Sequence, residues 1–283
     1  MTCHNLKKRP LQQGDYMAGI FTSHWLKNRT TGKTRFSIVF ILFTLISLGA
    51  LAEESSCNSK ELLASRIKPY ETTYAATFRG VTIDNRRVLK EEPDQTYLVS
   101  GEMSILFVGI REFTRFRVRD ARYIQPVEYL YERDGLGDKK DYHIAFDWNA
   151  MKVNSLYKDR PWTREIPANT QDMLSQQEQF RLELLCDPQV QEVYEFPITK
   201  KKRNTLYRYA PLGEEVLQTP LGKLNTLKFH KVEETPGRET VIWLAKDWDY
   251  LIAQLTYQED DDPAQRVTLK EGTLNGIHIT GLR

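Results

Sequence analysis

Asp147 and Asp247 each stand beside a tryptophan, Trp148 and Trp248. Paired carboxylates cleave glycosidic bonds when they face one cleft at roughly 5–10 Å. Nothing in the spacing of these two brings them together, and a strand-end Asp ordinarily accepts hydrogen bonds from its own turn. Beyond residue 52 the histidines are His143, His230 and His278. None forms H-E-x-x-H or a close pair, so a zinc site would need convergence from separate strands, and no metal is expected. Asp260-Asp261-Asp262, after Glu259, clusters the hard oxygens that Ca²⁺ prefers but lacks EF-hand spacing and its loop glycine; it reads as a solvated hairpin tip. Lys200-Lys201-Lys202-Arg203 reads as a charged turn, with a phosphate or lipopolysaccharide contact as the alternative. There is no G-x-S-x-G elbow, P-loop or G-x-G-x-x-G. No catalytic residue and no cofactor is expected, and the pattern leans away from an enzyme.

The aromatics are the richer set. Tyr129, Tyr131, Phe146, Trp148, Tyr207 and Trp243 lie on or beside strand-like stretches. On the concave face of a curved sheet they would line an apolar pocket with polar tips, suited to an apolar or amphipathic ligand such as lipid. The same residues would serve as well in a filled core. Cys57 and Cys186 are the cysteines beyond residue 52. Outside the cytoplasm a lone pair invites a disulfide; two unrelated buried thiols are the alternative.

The elements that must position these residues are strands. Tyr97, Val99, Gly101, Met103 and Ile105 alternate with Thr96, Leu98, Ser100, Glu102 and Ser104, and Tyr142, Ile144, Phe146 and Trp148 with His143, Ala145 and Asp147. Tyr207 and Tyr209, and Leu251, Ala253, Leu255 and Tyr257, continue the pattern. A period of two with β-branched and aromatic enrichment predicts half-buried strands, about a dozen in all. Turns are expected at 133–138, 148–151, 235–237 and 260–263. A short helix is expected from Asn58 or Ser59 through Ile67, stopped by Pro69. A longer one is expected near residues 171–185, capped by Asn169 or Thr170, with Asp172 in its first turn, ended by Asp187-Pro188. Strands on both sides of one helix argue for an antiparallel sheet rather than βαβ units. The expected architecture is mainly β, a large antiparallel sheet curved into a barrel or half-barrel.

An apolar run from Phe36 to Ala52 follows Lys27, Arg29, Lys33 and Arg35 and closes on Ala50-Leu51-Ala52. Those are the parts of a secretory signal peptide. Residues 1–52 then form the n-region and signal, with Met17 as an alternative start, and 53–283 a single β-rich domain that is periplasmic or secreted. An inner-membrane anchor over residues 36–52 is the alternative. Residues 53–283 carry 33 basic and 37 acidic side chains, a net of −4, so the formal +2 of the whole chain belongs to its first 52 residues. No nucleic-acid partner is expected.

Several short segments carry a resemblance in their order. Ile124-Gln125-Pro126 leads to Tyr129-Leu130-Tyr131, followed by Phe146-Asp147-Trp148 and Gln171-Asp172-Met173-Leu174-Ser175 with Arg181 beyond. Gln218-Thr219-Pro220-Leu221-Gly222 and Trp243-Leu244-Ala245-Lys246-Asp247 before Tyr250 complete the set. The region after residue 52 resembles a bacterial family of uncharacterised envelope proteins, the domain of unknown function 3108. The resemblance implies a secreted or periplasmic antiparallel β protein and supplies no catalytic residues. Where that family often has Pro after the Trp-Leu-Ala segment, this chain has Leu251-Ile252-Ala253, a departure that bears on local strand geometry. The function expected is non-enzymatic binding of an apolar or amphipathic ligand such as lipid. The alternatives are an envelope-assembly scaffold with a filled core, partnered by an envelope protein, and a glycan-active enzyme.

Overall fold

The computed structural model describes residues 66–78, 81–105, 108–135, 141–187, 189–232 and 235–282. The helix expected from Asn58 lies outside these residues except for its last two positions, Arg66 and Ile67, which form a turn and a bend. Cys57 and the run Phe36–Ala52 also lie outside them.

Strands dominate because the alternating stretches fold as predicted. The first half is a meander: β1 (Tyr70–Phe78), β2 (Val81–Glu91), β3 (Tyr97–Ile105), β4 (Val108–Arg119), β5 (Tyr123–Gly135), β6 (Tyr142–Asp147), β7 (Lys152–Tyr157) and β8 (Arg160–Glu165). Helix α1 (Ser175–Cys186) follows. A second meander comprises β9 (Tyr194–Lys200), β10 (Arg203–Thr219), β11 (Gly222–Lys231), β12 (Arg238–Ala245), β13 (Leu251–Glu259) and β14 (Gln265–Leu274), with the short β15 (Ile277–His278) beside β14. The two meanders join where β1 pairs with β14, which makes one antiparallel sheet of 15 strands with β8 and β9 at its ends.

Four bulges bend this sheet and keep its apolar residues on the inside, one of them at Lys270 of β14, between the pairs Thr73–Glu271 and Tyr74–Leu269. Opposite Arg115 and Phe116 of β4 stand Glu128 and Pro126, so Val127 is an extra residue in β5. That insertion resets the period, which lets Ile124, Pro126, Tyr129 and Tyr131 all bury on one face. In β10 the extra residue is Leu212, between Pro211 and Gly213, where Gly213 takes φ 105°. In β13 it is Ala253, between the pairs Trp243–Gln254 and Leu244–Ile252. The departure from the family pattern at Leu251-Ile252-Ala253 thus falls on a strand irregularity.

The ladder does not close into a barrel. Side chains and one short bridge span the gap between β8 and β9 instead. Gln171 forms a parallel bridge with Ile198, its N–H donating to Pro197 O (2.8 Å) and its carbonyl accepting from Thr199 N (2.9 Å). Arg164 reaches Thr199 Oγ1 (2.8 Å) and the Lys201 carbonyl (3.0 Å), and Asn204 Nδ2 donates to Glu165 O (2.8 Å). Neither end of the sheet is left as a bare template for another strand.

The helix lies inside this open barrel. Its cap differs from the one expected at Asn169 or Thr170, because Thr170 Oγ1 is turned back to Pro167 O (2.7 Å). Asp172 does the capping: Oδ1 accepts from Leu174 N (2.8 Å) and Ser175 N (2.9 Å), while Ser175 Oγ accepts from Asp172 N (2.9 Å). Three backbone donors are satisfied, those of Asp172 and Ser175 reciprocally, as in a capping box.

Candidate functional site

The concavity is where a ligand would sit, and α1 occupies it. Gln176, Gln177, Glu178 and Gln179 are all polar, yet all four are buried, together with Phe180, Arg181 and Leu182. The sheet explains why. β6 pairs with β5 only from Glu128 to Tyr131, so among the described residues the start of β5 has no strand neighbour on that side. Side chains fill the missing ladder. Gln179 Oε1 accepts from Ile124 N (2.7 Å) and its Nε2 donates to Arg122 O (3.2 Å). Gln171 Nε2 donates to Ile124 O (2.7 Å), and Trp148 Nε1 to Pro126 O (2.7 Å). Buried backbone groups must be paired, and here glutamine amides substitute for a strand.

The rest of the helix is held by ionic and aromatic contacts. Glu178 accepts from Tyr70 OH (2.7 Å) and from Arg181 NH1 (2.6 Å), an ion pair whose side chains are 5% and 6% exposed. Arg181 Nε donates to Asp249 O (3.0 Å), and its guanidinium lies over the Tyr70 ring. Arg87 donates to Gln177 Oε1. On the opposite side Phe180 packs among Tyr194, Phe196, Tyr209 and Phe229, with ring centroids 4.8–5.3 Å away.

Burial shifts the acids of this layer. It pushes Asp172 up to about 6, outweighing the donated hydrogen bonds of Thr114 Oγ1 (2.6 Å), Ser175 and Leu174. It raises Glu183 to about 7 and also raises Glu112, which accepts from Tyr129 OH (2.9 Å). Tyr129 is held well above the ordinary tyrosine value by burial and then by Glu112.

The six aromatics expected to form one pocket fall into separate groups. Tyr129 and Tyr131 on β5 surround Tyr142, at 5.5 and 5.3 Å between centroids, and are buried in the first meander. Phe146 stacks on Trp148 at 5.6 Å beside β5. Tyr207, on β10, lies in the second meander, where its hydroxyl accepts from Lys200 Nζ (2.8 Å) and Lys231 Nζ sits 4.0 Å over its ring. Trp243 is on the other face of β12 from Ile242 and Leu244 and donates to Glu215 Oε2 (3.2 Å). Of the six, Tyr207 lines the cleft beside α1, together with Gln176, Phe180, Arg181, Lys231 and Ile242. That cleft has about 20 Å³ of free space, room for a water molecule.

The candidate acids stand apart from it. Asp147 Oδ1 accepts from Ala150 N (3.0 Å) in its own turn, and Asp247 Oδ2 accepts from Asn225 Nδ2 (2.9 Å). Among the described residues no three His, Cys, Asp or Glu side chains gather as a metal site. Cys186 ends α1, 3% exposed, and is not a free thiol, while Cys57 lies outside the described residues. Sequence reasoning missed Gln171, Gln177, Glu178 and Gln179. The sequence offers Met173, Leu174, Phe180, Leu184 and Leu185 as a rough apolar face, of which the first four are buried, but no local signal marks the polar residues between them as buried too.

An open antiparallel barrel wound around its own helix places this chain among β-barrel-like proteins. Within that class it belongs to the family described as "Protein of unknown function (DUF3108)", whose model matches residues 73–270. Its fold is similar to that of a β-barrel-like protein of domain of unknown function DUF1849 from Brucella abortus, with TM-score 0.50 and 9% identity over 74% of this chain and 98% of that one. The MucA/MucB complex structure from Pseudomonas aeruginosa aligns over 78% of this chain and 96% of that one at 9% identity, but with a TM-score of 0.16, too low to indicate a shared fold. No curated protein matches the chain.

Proposed function

We propose that this protein is an exported envelope protein that works by binding rather than catalysis, and that its working surfaces are the rims and loops of the barrel. The observation that carries this is the filling of the concavity: α1 is tied to the sheet through Gln179, Glu178 and Arg181, and the cleft beside it has about 20 Å³ free. A lipid site takes several hundred Å³. The address rests on the run Phe36–Ala52, cleaved after Ala52, so that the working chain starts at Glu53.

A second reading keeps the amphipathic ligand. The cleft is lined by Phe180, Ile242, Leu244, Ile252 and Leu255 with Lys231 and Arg181 at hand, a combination that suits an apolar chain with an anionic head. It requires α1 to move. Native mass spectrometry on protein purified from its own envelope separates the two. The expected mass is that of residues 53–283 alone; a stoichiometric lipid adduct overturns the filled-core reading in favour of the second. N-terminal sequencing tests the address: a chain that starts at Met1 or Met17 and sediments with membranes establishes the anchor instead.

A further inference from the structure

Two turns far apart in sequence meet at one rim of the barrel. β7 and β8 are joined through Tyr157-Lys158-Asp159-Arg160, and β9 and β10 through Lys200-Lys201-Lys202-Arg203. Ser155 Oγ donates to Lys201 O (2.8 Å), and Arg164 donates to the same carbonyl (3.0 Å) and to Thr199 (2.8 Å), which fixes one turn against the other. In the β7–β8 register Val153 faces Arg164, Ser155 faces Trp162, and Tyr157 faces Arg160. These residues therefore share the face that turns toward β9–β10. On it Lys202 Nζ lies 5.2 Å from the Trp162 ring centroid and Lys201 Nζ 5.6 Å from that of Tyr157.

The charge here runs against that of the rest of the chain. Segments 157–164 and 200–203 hold seven cations and one acid, Asp159, within a region, 53–283, whose net charge is −4. Lys200 is buried on Tyr207, but Lys158, Arg160 and Lys202 are exposed, and Trp162 is 40% exposed among them. An exposed indole set in a cluster of cations is the combination that interfacial segments present to anionic membranes. Single-stranded nucleic acid asks for something else, a charged groove with successive aromatic platforms. Here Trp162 is exposed and Tyr157 is half-buried under lysines.

We propose that this rim docks the protein on a membrane surface bearing anionic phospholipids, with Lys158, Arg160, Lys201 and Lys202 against the phosphates and Trp162 at headgroup depth. Its biological use rests on the envelope address proposed above; binding to vesicles reads the rim alone, whereas fractionation reads the address. Each cation near an anionic surface favours binding roughly five-fold. Residues 53–283 are sedimented with vesicles of phosphatidylcholine alone and of phosphatidylcholine mixed equally with phosphatidylglycerol. The expected result is binding to the mixed vesicles only, weakened by added salt. The double variant Arg160→Glu, Lys202→Glu should lose at least ten-fold in affinity. Trp162→Phe should abolish the quenching of tryptophan fluorescence by lipids brominated near the headgroup. Lys223→Glu, an exposed reversal at the opposite end of β10–β11, should change nothing, and each variant's melting temperature shows that it is folded. The proposal is overturned if anionic vesicles are not preferred, if Lys223→Glu weakens binding as much as the double variant, or if a single-stranded oligonucleotide binds more tightly and displaces the vesicles.

Discussion

Replacing Asp172 by Asn should stabilise the protein at alkaline pH and do nothing in acid. Asp172 has no solvent exposure, accepts from Thr114, Leu174 and Ser175, and is pushed up to about 6 by burial, from an ordinary ~3.9. A group raised in the folded state binds its proton more tightly there than in the unfolded chain. The stability it contributes is complete below pH ~4 and is withdrawn as pH rises through about 6. Raising a carboxyl that far is equivalent to about 2–3 kcal/mol, of which about 2 kcal/mol falls between pH 4 and pH 8. Asn keeps the oxygen that caps α1 and carries no charge, so the wild type minus variant difference should be near zero at pH 4 and about 2 kcal/mol in the variant's favour at pH 8. Urea unfolding followed by tryptophan fluorescence at intervals between those limits measures it, and contributions from other carboxylates cancel in the difference. Parallel curves, or a variant weaker at pH 8, would show that the three donors govern this carboxylate and that burial does not.

Phe180→Ala should cost about 3–5 kcal/mol, because the ring is 2% exposed and touches four other aromatic rings; equilibrium unfolding at fixed pH measures the loss. Arg181→Ala leaves Glu178 buried without its ion-pair partner and should cost about 3–5 kcal/mol, whereas Arg181→Met with Glu178→Met should recover most of that. A double-mutant cycle reads the coupling, and a double variant as weak as the single one refutes it. If Cys57 pairs with Cys186, thiol titration of the denatured chain from residue 53 finds no free thiol, and reduction lowers stability by roughly 4–5 kcal/mol at most; two titratable thiols end that pairing.

Much of the architecture was legible in residue periodicity. Tyr97, Val99 and Met103 alternate and bury, as do Tyr142 and Ile144, because one face of an antiparallel sheet meets the core. Bulges hid part of the pattern: Pro126 and Tyr129 share a face although they differ by an odd number of positions, and no local signal marks Val127 as the extra residue. The site was less legible than the fold. Helix burial is ordinarily read from an apolar stripe, but only one side of α1 meets an oily surface, around Phe180, while on the other the sheet offers it unpaired N–H and C=O groups. Gln179 is buried for the sake of a gap in β5, a long-range fact that no window of sequence contains. The aromatics were scattered for a related reason: alternation says that Tyr207 and Trp243 are on strands, but the register decides which face each presents.

The pairing of β1 with β14 has a kinetic meaning. Tyr70 meets Leu274, so the strand that starts the described sheet finds its second neighbour only when almost the whole chain is present. Contacts so distant in sequence make folding slow, because loop-closure entropy is lost before the ladder forms. A chain threaded through a membrane with its N-terminus leading would emerge with the edge of β1 open, and would keep it open until the last strands arrived. During that interval the unpaired edge is the most exposed template on the molecule. An exported chain of this topology is therefore at greatest risk before it is complete, and most in need of a holding partner at the strand it makes first.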